Sequence, residues 1–466
     1  MSRAWGALGG ALLFCAAAAA AGKPAAGPLR VCPENPRYFC DPQGNVVYLA
    51  GAHDGWELQD YAWGDRTPGV RFDWAGFLKF LSDYKHNVFR LWCVEHTKIV
   101  DNDPDLTEPM PYVRVARQGK ANDGQGKFDL RRFNEAYFAR LRERVKQAGE
   151  RGIYVIVMLF EGWSIESKGG RVNPWPYHPF HRENNVNGIN GDVNGDGQGT
   201  EVHTWLGEEH PITQLQRAYV RKVIDTVNDL DNVLYEIANE SGGYSTEWQY
   251  RMVEFVHEYE RTKPKQHPVG MTAQYPGGKN EALFASPAEW ISPNRLAPRP
   301  FDYRANPPPA DGRKVVLSDT DHLFGNRCKD YRWVWKSFCR GYNLLYMDRW
   351  TIERGDAARE LVRRALGHTR QYAQRMDLAR AVPHGELCST GFCLAQPGEE
   401  YLIYAPAGGN VSVDLRGCKG AFAVEWFNPR TGKAAPGERI AGGARRTLAA
   451  PFSGDAVLYI KKAPEK

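Results

Sequence analysis

Short apolar runs alternate along most of the chain with longer segments in which apolar residues recur every three to four positions. Continuous short runs are typical of strands buried on both faces, and the longer recurrence is typical of amphipathic helices. Eight such runs occur, at 46–50, 87–92, 153–160, 232–238, 269–273, 290–292, 314–318 and 342–347. The pattern therefore predicts eight strands that alternate with helices.

This alternation determines the fold class that we expect. Eight strand–helix units predict an α/β fold, a (β/α)8 TIM barrel, which we assign to residues 23–385. A doubly wound open sheet is the alternative, but no Gly-x-Gly-x-x-Gly motif follows the first run. The helix after the second strand has Tyr137 and Leu141 on one face, and Asp129 is a suitable N-cap for it.

From residue 386 onward the helical pattern stops. Short strand-like runs at 401–404, 411–415, 423–426 and 456–460 are separated by turns rich in Gly, Pro and Asn. Residues 386–466 are therefore predicted to form a small all-β sandwich domain.

Residues 1–22 have the features of an export signal peptide. Arg3 supplies the positive charge, an apolar run follows, and small residues precede the expected cleavage point. Lipid attachment at Cys15 is disfavoured because the bulky Phe14 precedes it. We therefore expect a secreted or periplasmic protein, and export permits disulfides. The cysteines closest in sequence are Cys32 with Cys40 and Cys388 with Cys393.

The composition argues against several classes of function. The formal charge is +5, from 60 basic and 55 acidic residues without a basic block, so nucleic-acid binding is not indicated. No internal apolar stretch reaches the roughly 20 residues that a membrane-spanning helix needs. Aromatic residues make up 12% of the chain, with 14 Trp. Aromatic-rich cores give such counts, but so do clefts in which flat rings stack on sugars, and we expect a carbohydrate partner. The oligomeric state is not indicated.

Carboxylates follow the predicted strands four and seven. The C-terminal strand ends of TIM barrels form the active site, and cleavage of a glycosidic bond with retention needs two carboxyls about 5–5.5 Å apart. Glu240 ends strand four, and Asp319 and Asp321 follow strand seven across the barrel. We predict Glu240 as one catalytic carboxyl and favour Asp319 over Asp321 as the other, because Asp319 is nearer to the strand end.

Other polar and aromatic residues follow the remaining strands. Each is compatible with ordinary rim structure, but their convergence on one face predicts substrate binding. Glu161 is a third carboxylate, which replaces Glu240 in the pair if the strand numbering is shifted. The predicted substrate-binding residues are His53, Asp54, Trp56, Arg90, Trp92, Glu161, Trp163, Asn239, His322, Asp348 and Trp350.

A long segment rich in Gly and Asn, residues 164–211, separates strands three and four and is expected to be functional, for example as a lid. Within it Asp192, Asn194 and Asp196 match the first half of a calcium-binding loop. Position 12 of that loop is His203, so Glu201 would have to supply the missing carboxylate. A structural Ca²⁺ is one interpretation, and a hydrated turn is the other. No cofactor is otherwise required.

These motifs together resemble those of clan A retaining glycoside hydrolases. The resemblance is carried by Asn239-Glu240 at strand four, Arg90 at strand two and the carboxylates after strand seven. Segments 37–44, 401–404 and 427–432 further resemble secreted apiosidase-like barrel proteins, which often end in a β-sandwich named for collagen binding. The resemblance implies Glu240 as acid/base, the strand-seven carboxylate as nucleophile, and Arg90 and Asn239 as supports around the reacting sugar.

The chain departs from that pattern at the nucleophile, where clan A members normally have Glu. Asp is shorter by one CH₂, so either the backbone lies closer to the sugar or the site is altered. Two functions therefore remain open: a secreted retaining glycoside hydrolase that cleaves an oligo- or polysaccharide, and a non-catalytic glycan- or matrix-binding protein on an enzyme-like barrel.

Overall fold

A computed structural model describes residues 23–60, 67–170 and 172–464, so the predicted signal peptide lies outside the described residues. Eight parallel strands form one sheet with the neighbour order β1-β8-β7-β6-β5-β4-β3-β2. This order confirms the predicted (β/α)8 barrel. The strands are β1 Ala50–His53, β2 Val88–Leu91, β3 Tyr154–Glu161, β4 Val233–Asn239, β5 Val269–Thr272, β6 Trp290–Ser292, β7 Val315–Asp319 and β8 Asn343–Met347.

The barrel closes where β1 meets β2. The backbone N–H of Asn87 donates to the Ala50 carbonyl at 3.0 Å, and the Asn87 side chain accepts from the Ala50 N–H at 2.9 Å. Gly51 permits this approach, because a Cβ at that position would lie 1.8 Å from the Val88 carbonyl oxygen. A glycine in the first strand is therefore a condition of closure.

Helices cover the outside of the barrel, but the alternation is not regular. Two helices follow β7, and the described residues between β6 and β7 contain none. The helices are α1 Trp74–Asp83, α2 Glu135–Gly149, α3 Pro211–Val227, α4 Thr246–Glu260, α5 Asn280–Ala285, α6 Thr320–Phe324, α7 Tyr331–Cys339 and α8 Ala357–Ala373.

Two sequence predictions about these elements are wrong in detail. The first barrel strand begins at Ala50, because Val46–Val47 pairs instead with a small N-terminal sheet. An antiparallel hairpin, Tyr112–Lys120 with Gly126–Phe133, is inserted before α2. Asp129 lies in that hairpin, and the side chain of Asn134 caps α2 by accepting from the Ala136 N–H.

The barrel interior changes from apolar to charged towards its C-terminal end. Phe39 of the N-terminal sheet belongs to the same buried cluster as Ile156, Leu317 and Trp290. Gly270 leaves room for the Trp290 ring, since a Cβ there would lie 1.9 Å from it. Apolar side chains fill the N-terminal end of the barrel, and polar side chains meet near the C-terminal ends of the strands.

The C-terminal region is built from antiparallel strands. One sheet has the order β9-β10-β11-β17-β13-β14, with β15 paired to β13, and β12 pairs separately with β16. The strands are β9 Val382–Pro383, β10 Cys393–Gln396, β11 Glu400–Ala405, β12 Asn410–Asp414, β13 Ala421–Asn428, β14 Lys433–Pro436, β15 Ile440–Ala441, β16 Arg445–Ala449 and β17 Ala456–Lys462.

One of the two cysteine pairs closest in sequence forms a disulfide. Cys32 is bonded to Cys40, whereas Cys388 and Cys393 are free thiols. In the described ranges, no helix is both long and apolar enough to cross a membrane.

Candidate active site

A cleft of about 860 Å³ opens at the C-terminal ends of the barrel strands. Its walls come from loops after most of the strands, as in other TIM barrels. Five of the predicted site residues line it: Trp92, Glu161, Trp163, Glu240 and Asp321. Sequence reasoning missed other lining residues, among them Ile99, Val172, Tyr275, Phe324, Arg327 and Met347.

Arg90 is the centre of a buried charge network beneath the cleft. Its Nε and Nη2 donate to the two carboxylate oxygens of Glu236 at 2.8 and 2.6 Å, and both side chains are fully buried. Its Nη1 donates to Asp319 and to Asp321, each at 3.1 Å. Glu236 was not predicted, because it lies inside the apolar run of β4. Its inward position in a barrel strand was the available signal.

The two strand-seven carboxylates lie in different surroundings. Asp319 is fully buried, contacts His53 Nε2 at 3.0 Å and accepts the Asp321 N–H at 2.9 Å. Burial by itself opposes ionisation, but His53 and Arg90 hold the pKa of Asp319 below its usual value. Asp321 lines the cleft, and burial, partly offset by Arg90, raises its pKa to about 6. The residue that faces the cleft is therefore Asp321 and not the sequence-favoured Asp319.

Glu240 follows β4 with a strained backbone. Its φ of +44° lies in the left-handed region, which is uncommon for a residue with a side chain and is often found at functional sites. The indole Nε1 of Trp163 donates to its carboxylate. Burial, and next the charge of Asp321, raise the pKa of Glu240 to about 8. Glu240 is therefore mainly protonated at neutral pH, whereas Asp321 is mainly ionised.

Asn239 joins the remaining polar residues. Its Oδ1 accepts from Arg90 Nη2 at 2.9 Å and lies 3.3 Å from His322 Nε2, while its Nδ2 donates to Glu161 at 3.1 Å. Burial, with a smaller effect of Arg90, lowers the pKa of His322 to about 3, so this ring is neutral. Burial raises the pKa of Glu161 well above its usual value. The cleft floor thus has fixed hydrogen-bonding directions.

Trp92 forms one wall of the cleft and covers this network. Its ring stacks on His53 with centroids 5.7 Å apart, and the Arg90 guanidinium lies 4.7 Å from it. An aromatic ring above a buried cation also shields the ion pairs from water. His53 itself is fully buried, where it contacts Asp319 and Trp92.

Eight of the eleven predicted substrate-binding residues do not line this cleft: His53, Arg90, Asn239 and His322 belong to the network beneath it, and four others lie apart from it. Asp348 forms a bidentate ion pair with Arg363 at 2.6 and 2.9 Å, and Asp54 accepts the Thr351 N–H at 2.8 Å. Trp350 packs on Phe80 with ring centroids 5.5 Å apart, and Trp56 is likewise buried. These residues follow β1 and β8 in the sequence, but their side chains pack between the barrel and its helices.

The predicted calcium loop is held by its own backbone. Asp192 Oδ1 accepts the N–H groups of Gly195 and Asp196 at 2.8 and 3.0 Å, and its Oδ2 accepts that of Gly197 at 3.0 Å. Asn194 accepts the Asp196 N–H as well. Within 23–60, 67–170 and 172–464, no group of three His, Cys, Asp or Glu is arranged to hold a metal ion. The turn is thus closed by its own hydrogen bonds, and Ca²⁺ binding with Glu201 stays a hypothesis.

Two family profiles match parts of the chain. One, described as "Domain of unknown function (DUF6298)", matches residues 86–276, and the other, "Putative collagen-binding domain of a collagenase", matches residues 389–460. The first match contains Arg90 and Glu240 but ends before Asp321. No curated protein matches the sequence significantly.

Solved structures share the fold at low sequence identity. A protein described as "Glycoside hydrolase" is 13% identical with a TM-score of 0.60, and the match covers 94% of this chain and 98% of that one. A glycoside hydrolase family 5 protein from Bacteroides vulgatus ATCC 8482 is 14% identical with a TM-score of 0.61, over 94% and 93% of the two chains. At these identities the likeness shows the fold alone, over both the barrel and the C-terminal strands.

Proposed function

We propose that the protein is a retaining glycoside hydrolase in which Glu240 is the acid/base and Asp321 the nucleophile. The observation that carries the proposal is that two carboxyls line one cleft with pKa values near 8 and near 6. A protonated acid beside an ionised nucleophile is what the first step of a double displacement requires. The solved glycoside hydrolases with a similar fold support the proposal by analogy, because such sites occur on that fold.

The chemistry consumes one water in two steps. Asp321 attacks the anomeric carbon while the bond to the leaving oxygen breaks, and the Glu240 proton moves to that oxygen. Water then attacks the glycosyl–Asp321 ester, Glu240 takes the water proton, and the Asp321 carboxylate leaves. The net charge of the two carboxyls is the same before and after each step.

Arg90 and Asp319 support this cycle from below. The Arg90 guanidinium lies 3.1 Å from Asp321 and favours its ionised form. Asp319 fixes both Arg90 and the Asp321 backbone, which makes it a positioning residue here. We assign the nucleophile to Asp321 and not to Asp319, because the fully buried Asp319 carboxylate cannot reach an anomeric carbon without displacing its partners.

The test is a screen of the purified protein with 4-nitrophenyl glycosides, apiosides included, and with plant and microbial polysaccharides. We expect hydrolysis of at least one class, with the retained anomer as the first product in ¹H NMR. Glu240→Gln and Asp321→Asn should each lose about 10³-fold or more in kcat on a substrate with an unactivated leaving group. Near-normal turnover by Asp321→Asn with loss in Asp319→Asn would return the nucleophile to Asp319.

Several finer features belong to the same proposal. An apiosidase-like specificity, cleavage of a signal peptide after residue 22 and export are each proposed from the sequence alone. N-terminal sequencing of the mature protein from a secreting host tests the export proposal. The boundary at 385/386 is a proposal too, which limited proteolysis tests.

Binding without hydrolysis is the second candidate function. It is favoured by the profile match of residues 389–460, whose description names collagen binding. Pull-down on collagen and on insoluble glycans, measured beside the hydrolysis screen, separates the two. Retention on a matrix with no product from any glycoside would support the binding function and overturn the enzymatic one.

A further inference from the structure

Exposed apolar side chains gather on one side of the cleft. In the described ranges, seven large apolar or aromatic side chains are exposed, and two of them, Val172 at 47% and Tyr275 at 42%, line the cleft. A third, Tyr244, bonds to Glu166 in the same region. A cluster of this kind marks a binding surface more often than chance exposure does.

Five cleft-lining residues form what we call the apolar shelf: Trp163, Gly169, Val172, Pro174 and Tyr275. The rings of Trp163 and Tyr275 stack with centroids 6.2 Å apart and an interplanar angle of 23°. Gly169, with φ of +61°, lies against Tyr275, because a Cβ there would be 3.3 Å from the Tyr275 hydroxyl. None of these five side chains carries a charge.

The shelf is held in place from behind by Lys168. The Lys168 side chain is fully buried, and its Nζ donates to Glu166 at 2.6 Å and to the Tyr275 carbonyl. Glu166 also accepts from the Tyr244 hydroxyl at 2.7 Å. The positive charge of Lys168 is therefore compensated locally, and the shelf is formed before any ligand arrives, which lowers the ordering cost of binding.

The position of the shelf relative to the reaction follows from Trp163. Its indole Nε1 donates to the Glu240 carboxylate, so the shelf begins beside the acid. The acid of a glycoside hydrolase protonates the leaving oxygen. The shelf is therefore on the leaving-group side of the cleft.

We propose that the apolar shelf binds the leaving group and that this group is an apolar, ring-bearing aglycone. The inference rests on Glu240 being the acid of the proposed function. A second sugar would need several polar groups for its hydroxyls, whereas the five shelf residues offer two rings, aliphatic surface and the Tyr275 hydroxyl. The substrate class is thus glycosides that carry a flat apolar aglycone.

The test compares benzyl and methyl glycosides of the sugar identified in the screen, since both leave as simple alcohols and differ only in the ring. Tyr275→Ala should lower kcat/KM for the benzyl glycoside about tenfold more than for the methyl glycoside. Tyr275→Phe should keep the wild-type preference. Leu296→Ala, at a side chain that is 63% exposed and outside the cleft lining, is the matched control and should change neither.

Free benzyl alcohol, followed by saturation-transfer NMR, separates the two proposals. Binding to the wild type but not to Tyr275→Ala, with no glycoside hydrolysed, would overturn the proposed function and leave the shelf as an apolar ligand site. Equal losses on both glycosides would overturn the shelf. The shelf proposal would also be overturned if Tyr275→Ala lowered kcat/KM only for a disaccharide of the same sugar. Hydrolysis of glycosides by a wild type that does not bind benzyl alcohol would overturn it as well.

Discussion

At the scale of single residues, the site depends on carboxyls that have the same chemistry but different surroundings. Glu240 has a buried carboxyl beside the charge of Asp321, and Asp321 has the Arg90 guanidinium 3.1 Å away. The first arrangement disfavours ionisation, and the second favours it. The pKa values of the two carboxyls thus differ because of neighbouring residues on or directly after β2, β4 and β7. Each of these neighbours can be tested by substitution.

The first prediction concerns pH. The dependence of kcat/KM should be bell-shaped, because activity needs ionised Asp321, above pH of about 6, and protonated Glu240, below pH of about 8. In Glu240→Gln the residual hydrolysis of a 4-nitrophenyl glycoside, which needs little acid assistance, should lose the alkaline limb. An alkaline limb that persists in this variant would show that another group is the acid.

The second prediction concerns Asp319→Asn. The charge of Asp319 raises the pKa of Asp321, so its removal should move the acidic limb to lower pH while kcat falls. The variant also removes the carboxylate that faces His53 while Arg90 keeps Glu236, and the weakened buried contacts should cost about 1–3 kcal/mol of stability. Asp348→Asn is the control, since Asp348 is also buried and ion-paired, but with Arg363 and not with Arg90. It should lose stability without a shift of the limb.

At the scale of elements, the long loop between β3 and α3 has a core of its own. Trp175 is buried there with Ile165 and Val202, against residues of the inserted hairpin. Gly191 and Gly199 give room to the Trp175 ring, since a Cβ at either position would lie within 2.6 Å of it. Two of the glycines in this loop thus serve packing around a buried indole.

The third prediction concerns Lys168→Met at the base of this loop. Burial and the charge of Asp321 raise the pKa of Glu240, whereas Lys168 and Arg90 lower it. The loss of Lys168 should therefore raise the pKa of Glu240. The Trp163 indole N–H resonance reports this directly, because it donates to Glu240. Lys127→Met on the hairpin is the control. An unchanged midpoint in folded Lys168→Met would contradict the arrangement.

At the scale of the molecule, the barrel and the C-terminal sheet share one core. Trp335 of α7 and Tyr372 of α8 contact Phe427, with ring centroids 5.7 and 5.4 Å apart. The buried Asp455 accepts from the hydroxyls of Tyr331 and Tyr404 at 2.6 and 2.9 Å. Such an interface resembles a domain core more than a flexible linkage.

The fourth prediction follows from this shared core. Phe427→Ala should cost about 3–5 kcal/mol, because it opens a cavity between the two regions. Urea unfolding, followed by fluorescence and by circular dichroism, should show a single transition that shifts to lower denaturant. Two separate transitions, or a stable barrel after removal of residues 386–466, would contradict the shared core.

Much of this architecture was predictable from the chain, and the failures have physical causes. Seven of the eight strands were located, because each lies in a largely apolar run buried on both faces, whereas the first was placed at 46–50 and lies at Ala50–His53. The hairpin was missed because its exposed strands lack such a run, and Asp129 was misassigned with it. Trp350 and Asp348 follow a strand as predicted, yet their side chains pack away from the cleft. The position of a residue after a strand does not determine where its side chain points.

The sequence by itself determined the fold class and the residues that follow the strands, because both depend on local patterns of burial. Only the tertiary structure shows that Asp321 lines the cleft while Asp319 is buried against Arg90 and His53. It also brought Trp163 beside Glu240 and Tyr275, which are distant in the sequence. Contacts between strand ends are long-range, and local periodicity carries no information about them.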